Sequence, residues 1–142
     1  LYRALRLDKV ILAGLERTLE ILLAGRGDEL PTRRLLTRAP AELEAAAQRL
    51  EQALAALPGL SVEVRPGQSQ PGSGSAPDVF LDTFCVVVER RGQGVEALAR
   101  ALRAGEPPVF ARIQDGRLWL DPRTLLPGEE SELCRAFERL CR

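Results

Sequence analysis

The chain has 142 residues, enough for one domain that buries a real core. Apolar residues make up 45% and charged residues 28%, and 20 basic side chains balance 20 acidic ones, so the class is soluble globular and the charge demands neither nucleic acid nor a membrane as partner. Histidine is absent, which excludes Ser-His and Cys-His nucleophile pairs.

In chain order, the first expected element is a long helix from about residue 5 to residue 24. Leu7, Ile11, Leu15, Leu19 and Leu22 recur at helical spacing, with Asp8, Lys9, Glu16, Arg17 and Glu20 on the other side. Gly25 and Gly27 supply the stop. So much apolar surface does not suit a helix standing alone, and packing both on the small domain of this chain and on something outside the chain is expected. Residues 31–37 suggest a short helix. A second long helix starts at Pro40, whose missing N–H costs nothing in a first turn, and carries Leu43, Ala46, Ala47, Leu50, Leu54 and Leu57 as its buried stripe up to Pro58-Gly59.

Leu60, Val62 and Val64 alternate, which predicts a strand over 60–64. Residues 67–77 are rich in Gly, Pro, Ser and Gln and read as a loop. The strongest strand covers 79–89, and its continuous run Phe84-Cys85-Val86-Val87-Val88 suggests a central position covered on both faces. A helix follows Gly94 with Val95, Leu98, Ala99 and Leu102 on one side and ends at Gly105. Strands over 109–113 and 117–121 flank Asp115-Gly116, a two-residue hairpin turn. The last helix begins near Pro127, with Glu129 and Glu130 at its N-terminus and Leu133, Phe137, Leu140 and Cys141 as its stripe.

The expected fold class is therefore α+β. It is a two-layer sandwich with a four-stranded, mainly antiparallel or mixed sheet, helices on one face and a long N-terminal helix in front. Residues 1–142 are expected to form a single small domain, with 1–25 as a linking helix from a missing catalytic domain, because the chain opens on Leu1 in helical character. With no run of 18 apolar residues and no signal peptide, the expected compartment is the cytoplasm, with no membrane partner.

Few residues could carry chemistry. Cys85, Cys134 and Cys141 fit no zinc spacing and read as small buried apolar side chains. Lys9, the one lysine, reads as surface charge. The loop around Ser69, Gly72, Gly74 and Ser75 lacks the Gly-Lys-Ser/Thr ending of a phosphate-binding loop and leads into a strand, which excludes a dinucleotide fingerprint. It is a plain loop or one that reaches over a neighbouring cleft. Arg3 and Arg6, three apart on the expected helix, would share a face. Such a pair is either solvated surface or a clamp for an oxyanion.

Several segments together resemble one family. Leu1-Tyr2-Arg3-Ala4-Leu5-Arg6-Leu7-Asp8-Lys9 resembles the stretch that comes after the catalytic domain of bacterial selenocysteine synthases, the L-seryl-tRNA(Sec) selenium transferases. Glu29-Leu30-Pro31 and Arg34-Leu35-Leu36-Thr37 resemble the family's connecting stretch. Ser69-Gln70-Pro71-Gly72-Ser73-Gly74-Ser75-Ala76-Pro77 resembles its glycine-rich loop. Pro107-Pro108-Val109, Arg112-Ile113 and Asp115-Gly116-Arg117-Leu118 resemble its closing hairpin, and Asp121, Arg123-Thr124 and Pro127 continue the match. Ser73 stands where the family usually has glycine, and Pro71 where it has a small aliphatic residue.

The resemblance implies the small C-terminal domain of a fold-type-I pyridoxal-phosphate enzyme. It implies that the cofactor lysine lies upstream of this chain, and that the fragment alone holds no cofactor and is inactive. The parent would be a homo-oligomer that removes water from seryl-tRNA(Sec) and adds selenium from selenophosphate. Arg3 and Arg6 would bind the anionic donor, and the loop over 69–75 would touch the cleft. A related pyridoxal-phosphate lyase or transferase acting on an amino acid, or a non-enzymatic interaction module, remain alternatives.

Overall fold

The structure, a computed structural model, describes residues 6–72 and 76–141. The chain forms two compact units, Leu1–Thr37 and Arg38–Arg142.

In the first unit, α1 (Lys9–Leu23) is followed by a 3-10 turn, Gly27–Glu29, and by α2 (Pro31–Thr37). Asp8 sets the start of α1: its carboxylate accepts the backbone N–H groups of Val10 at 2.7 Å and Ile11 at 3.0 Å. The helix thus begins four residues later than the apolar spacing suggests, because a side-chain cap outweighs continuation of the pattern. Gly25, at φ 72°, ends it in a conformation that costs glycine little. No residue of α1 is buried, and Val10, Ile11, Leu12, Leu15, Leu19, Leu22 and Leu23 are all exposed.

The second unit holds the core. Its elements are α3 (Pro40–Ala55), β1 (Leu60–Ser69), β2 (Leu81–Arg90), α4 (Val95–Arg103), β3 (Arg112–Gln114), β4 (Arg117–Leu120) and α5 (Glu129–Cys141). The four strands form one sheet in the order β1-β2-β4-β3, antiparallel throughout. The α+β class and the helices on one face agree with the sequence pattern. Val86 and Val88 of β2 and Leu118 and Leu120 of β4 meet Leu50 and Leu54 of α3, Leu98 and Leu102 of α4, and Leu133 and Phe137 of α5. The expected turn is present: Asp115 at φ 52° and Gly116 at φ 71° join β3 to β4 in the left-handed conformation that two-residue hairpins need.

Strand ends differ from those expected, each for a local reason. β1 runs through Pro66 and Gly67 to Ser69. It is an edge strand, where a proline forfeits no ladder bond on its outer side. Gly67 also gives the Cys85 sulfur room, since a Cβ there would lie 3.3 Å from it, whereas its 3.8 Å from the Trp119 indole would be ordinary contact. β2 starts at Leu81, because the Val79 N–H turns back to the Ala76 carbonyl at 3.2 Å. β3 starts at Arg112, because the Val109 N–H is taken by the Leu102 carbonyl at the end of α4, 3.0 Å away.

Among the described residues of this unit, no second layer of backbone covers the sheet opposite the helices. Its cover is made of its own side chains. Cys85, Val87 and Trp119 form a small buried cluster there. Beside it, Glu63 accepts from Arg65 at 2.7 Å and Arg117 at 2.6 Å, and Arg117 reaches Glu89 at 2.6 Å. The run over 84–88 is therefore central and shielded on both sides, on one side by helices and on the other by cross-strand side chains.

Candidate ligand-binding groove at the end of the sheet

Two polar arrangements meet where β1, β4 and the segment before β3 come together. The first centres on Asp121, directly after β4. One carboxylate oxygen accepts the Thr83 hydroxyl at 2.8 Å and the Arg123 N–H at 3.0 Å, and the other accepts the Ser69 hydroxyl. Pro122–Thr124 forms a 3-10 turn capped by this same carboxylate. The buried Arg123 side chain donates to the carbonyls of Asp82 at 2.6 Å and Arg38 at 3.3 Å, and Arg38 donates to the Pro122 carbonyl at 2.6 Å. This network fixes the ends of β1 and β2 and the start of α3. Sequence reasoning from the residues missed it, because Asp121 and Arg123 look like ordinary turn residues. Only their place in the family-like motif marked them.

The second arrangement is a cavity of about 270 Å³ next to that network. Ser69, Gln70, Phe110, Arg112, Trp119 and Asp121 are among its walls. The Arg112 guanidinium carbon sits 5.7 Å from the centroid of the Trp119 ring. Its nitrogens donate to the Gln68 carbonyl at 3.2 Å and approach the Cys85 sulfur at 3.8 Å. Trp119 is held from the other end by its own Nε1–H, which donates to the Gln114 carbonyl at 3.1 Å. Phe110 stands 77% exposed at the mouth. Among the described residues, Arg112 has no carboxylate within ion-pair distance.

Of the residues singled out from the sequence, Ser69 closes β1 and is tied to Asp121. Gly72 lies beyond it at φ 127°, and the Gln70 side chain spans the loop to the Pro77 carbonyl at 2.7 Å. Gly74 and Ser75 lie outside the described residues, as does Arg3. Arg6 is exposed and precedes the capped start of α1, so it does not occupy a helix face.

Cys85 is fully buried, and burial, reinforced by the Asp121 carboxylate and opposed by Arg112, pushes its thiol up to about 11. Burial, with Glu138 and Glu130 nearby, also raises the Cys134 thiol. Neither is a primed nucleophile. All three cysteines are free. Among the described residues, no group of three or more His, Cys, Asp or Glu side chains is placed to hold a metal ion. No helix there is long and apolar enough to cross a membrane.

The residues of this chain do not fit a covalently held pyridoxal phosphate. Lys9 is the one lysine in the sequence, and it is exposed in the first turn of α1 and lines none of the cavities described.

A family model described as SelA: L-seryl-tRNA selenium transferase matches residues 1–126. The L-seryl-tRNA(Sec) selenium transferase of Aquifex aeolicus (strain VF5) is 36% identical over 138 residues, covering 97% of this chain and 30% of that protein. The Desulfomicrobium baculatum enzyme of that name is 45% identical over 133 residues, covering 91% of the chain and 29% of its own length. That of Moorella thermoacetica is 42% identical over 144 residues, covering 96% and 30%. The chain thus spans about 30% of the length of these relatives.

Proposed function

The chain belongs to the L-seryl-tRNA selenium transferase family, and from that premise we propose that it serves as the C-terminal domain of an enzyme that converts seryl-tRNA(Sec) to selenocysteinyl-tRNA(Sec). The observation that carries this reading is the match over residues 1–126, together with relatives that align along nearly the whole chain.

In this reading the domain shapes and covers a site whose cofactor sits elsewhere. Pyridoxal phosphate, held by a lysine upstream, would supply the stabilisation of negative charge at the seryl group's α-carbon. This chain supplies placement and positive charge. Arg3 and Arg6 would bind the anionic selenium donor, selenophosphate, through charge-assisted hydrogen bonds. The exposure of Arg6 is compatible with that role. The loop carrying Ser69, Gly72, Gly74 and Ser75 would border the cleft, and the Ser69–Asp121 hydrogen bond holds its root. The exposed apolar side chains of α1 suit a helix covered by the catalytic domain or by another subunit of a homo-oligomer. The setting is cytoplasmic, where aminoacylated tRNA is used.

The test is an exchange. This chain replaces the corresponding segment of the Moorella thermoacetica relative, and formation of selenocysteinyl-tRNA is measured with seryl-tRNA(Sec) and selenophosphate. Retained turnover supports the reading, and a folded, cofactor-loaded hybrid without turnover overturns it. In an active hybrid, Arg6→Ala is expected to raise the selenophosphate KM roughly tenfold, the scale of one lost charge-assisted hydrogen bond.

A further inference from the structure

Residues 70–80 leave the sheet at the end of β1 and return at the start of β2, where the register pairs Gln68 with Asp82 and Ser69 with Leu81. Both roots of this loop are fastened to one distant segment, residues 112–123. At the outgoing root, Arg112 donates to the Gln68 carbonyl at 3.2 Å, and the Ser69 hydroxyl donates to the Asp121 carboxylate. At the returning root, Arg123 donates to the Asp82 carbonyl at 2.6 Å, and the Thr83 hydroxyl donates to the other oxygen of the same carboxylate at 2.8 Å. The partners lie 38 to 52 residues apart in the chain.

Ladder bonds fray at strand ends, so they alone do not fix where a loop starts. One carboxylate that takes a hydroxyl from each root fixes the two roots relative to each other. Asp121 suits the task because an ionised carboxylate offers two acceptor oxygens and no donor, so Ser69, Thr83 and the Arg123 N–H all find an acceptor. An amide of the same shape would turn one of those acceptors into a donor facing a hydroxyl. Thr83 is 2% exposed and Arg123 5%, so water competes little for these bonds. The loop is also tied within itself, since the Gln70 side chain reaches the Pro77 carbonyl at 2.7 Å and the Ala76 N–H reaches the Gly72 carbonyl at 3.2 Å. A loop ordered in advance loses less entropy when a substrate closes against it.

We propose that Asp121 is a positioning residue: it clamps both roots of the 70–80 loop, and the pose so fixed sets the rate of the reaction that the loop borders. The proposal rests on the transferase reading above and adds to it a residue that touches no reactant and acts only through the loop. Arg112 and Arg123 assist by holding backbone carbonyls at the same two roots. Loss of the clamp is a loss of alignment, which lowers kcat and leaves donor binding by Arg3 and Arg6 as it was.

The experiment uses the hybrid enzyme described above and, beside it, the 142-residue chain. In the hybrid, Asp121→Asn and Ser69→Ala should each lower kcat roughly tenfold, the scale of a small misalignment. The selenophosphate KM should stay within about twofold of the parent. Ser69→Thr keeps a hydroxyl and should keep the parental kcat. Val88→Ala loosens the core between β1 and β4 without touching either root, so it should lose stability yet keep kcat. In the chain, amide hydrogen exchange over residues 70–80 should speed up roughly tenfold in Asp121→Asn, while α4 and α5 keep their parental protection. Should Asp121→Asn not fold, Ser69→Ala and its Ser69→Thr rescue carry both readouts. Parental kcat in the clamp variants overturns the proposal. So does an equal fall of kcat in Val88→Ala, or unchanged exchange in the loop. An unsubstituted hybrid that is folded, loaded and inactive counts against the transferase reading, and the loop exchange still decides the clamp.

Discussion

Arg112 and Trp119 are direct partners across the β3–β4 ladder, and the guanidinium carbon lies 5.7 Å from the indole centroid. The contact closes the face of the sheet that carries no helix in this unit. Trp119 in turn lies over Gly67 and Cys85, so one exposed arginine, one tryptophan and one glycine form a stack through three strands. A side chain at the β1 position would press on the Cys85 sulfur beneath the stack.

Gly67→Ala tests that contact. The added Cβ would lie 3.3 Å from the Cys85 sulfur, and Cys85 is fully buried with little freedom to yield. Crowding should cost about 1–2 kcal/mol, partly offset by the lower backbone entropy of alanine in the unfolded chain. Denaturant unfolding should show a net loss of about 1 kcal/mol, with a changed Trp119 emission in the folded state. A variant with parental stability and spectrum would show that the stack is loose.

Asp121 accepts three hydrogen bonds in the second unit. Asp121→Ala removes the acceptor for Ser69, Thr83 and the Arg123 N–H together, and Thr83 is buried. The expected loss is about 2–3 kcal/mol, because unpaired buried donors keep their desolvation cost. Thr83→Ala, which leaves the carboxylate its other two donors, should lose about 1 kcal/mol. Urea midpoints at unchanged m-value would measure both.

The sequence was legible where a physical rule acts over a long stretch. The stripes of α3, α4 and α5 follow helical spacing, and Leu43, Leu50, Leu98, Leu102 and Phe137 are buried as that spacing implies. The Asp115-Gly116 turn was legible because its backbone conformation admits few residues. Features that depend on contacts distant in sequence were not. Pro66 and Gly67 look like breakers until β1 is known to be an edge strand lying under a tryptophan from β4. Arg112 carried no signal of its own, because its significance depends on Trp119 beneath it and on the Gln68 carbonyl it reaches. Arg3 and Arg6 drew attention through an expected shared helix face, but the Asp8 cap leaves Arg6 outside the helix, and Arg3 lies outside the described residues.

Two phenylalanines separate core packing from surface exposure. Phe137 is fully buried between α5 and the sheet, so Phe137→Ala should cost about 3–5 kcal/mol and shift thermal unfolding accordingly. Phe110 is 77% exposed, so Phe110→Ala should stay within about 0.5 kcal/mol of the parent chain. A large loss at Phe110 would mean that the ring supports the fold.

The Cys85 thiol predicts a pH dependence whose sign is fixed. Burial raises it from 9.0 to about 11, with the Asp121 carboxylate adding to the shift and Arg112 opposing it. The folded state therefore holds its proton more tightly than the unfolded state. The associated stability is fully present below about pH 8.5 and is lost as pH rises through the folded value, because the unfolded chain ionises first. The scale of the loss between about pH 8.5 and pH 11 is on the order of 2 kcal/mol. Cys85→Ala should be less stable near neutrality by about 1–2 kcal/mol, since it leaves a small cavity against Val87 and Trp119. Its stability should fall less steeply over the same alkaline range, because the titrating group is gone. Guanidinium unfolding of both proteins at about pH 8 and at about pH 10.5 compares the two slopes. Equal losses would show that other groups, and not this thiol, set the alkaline limit.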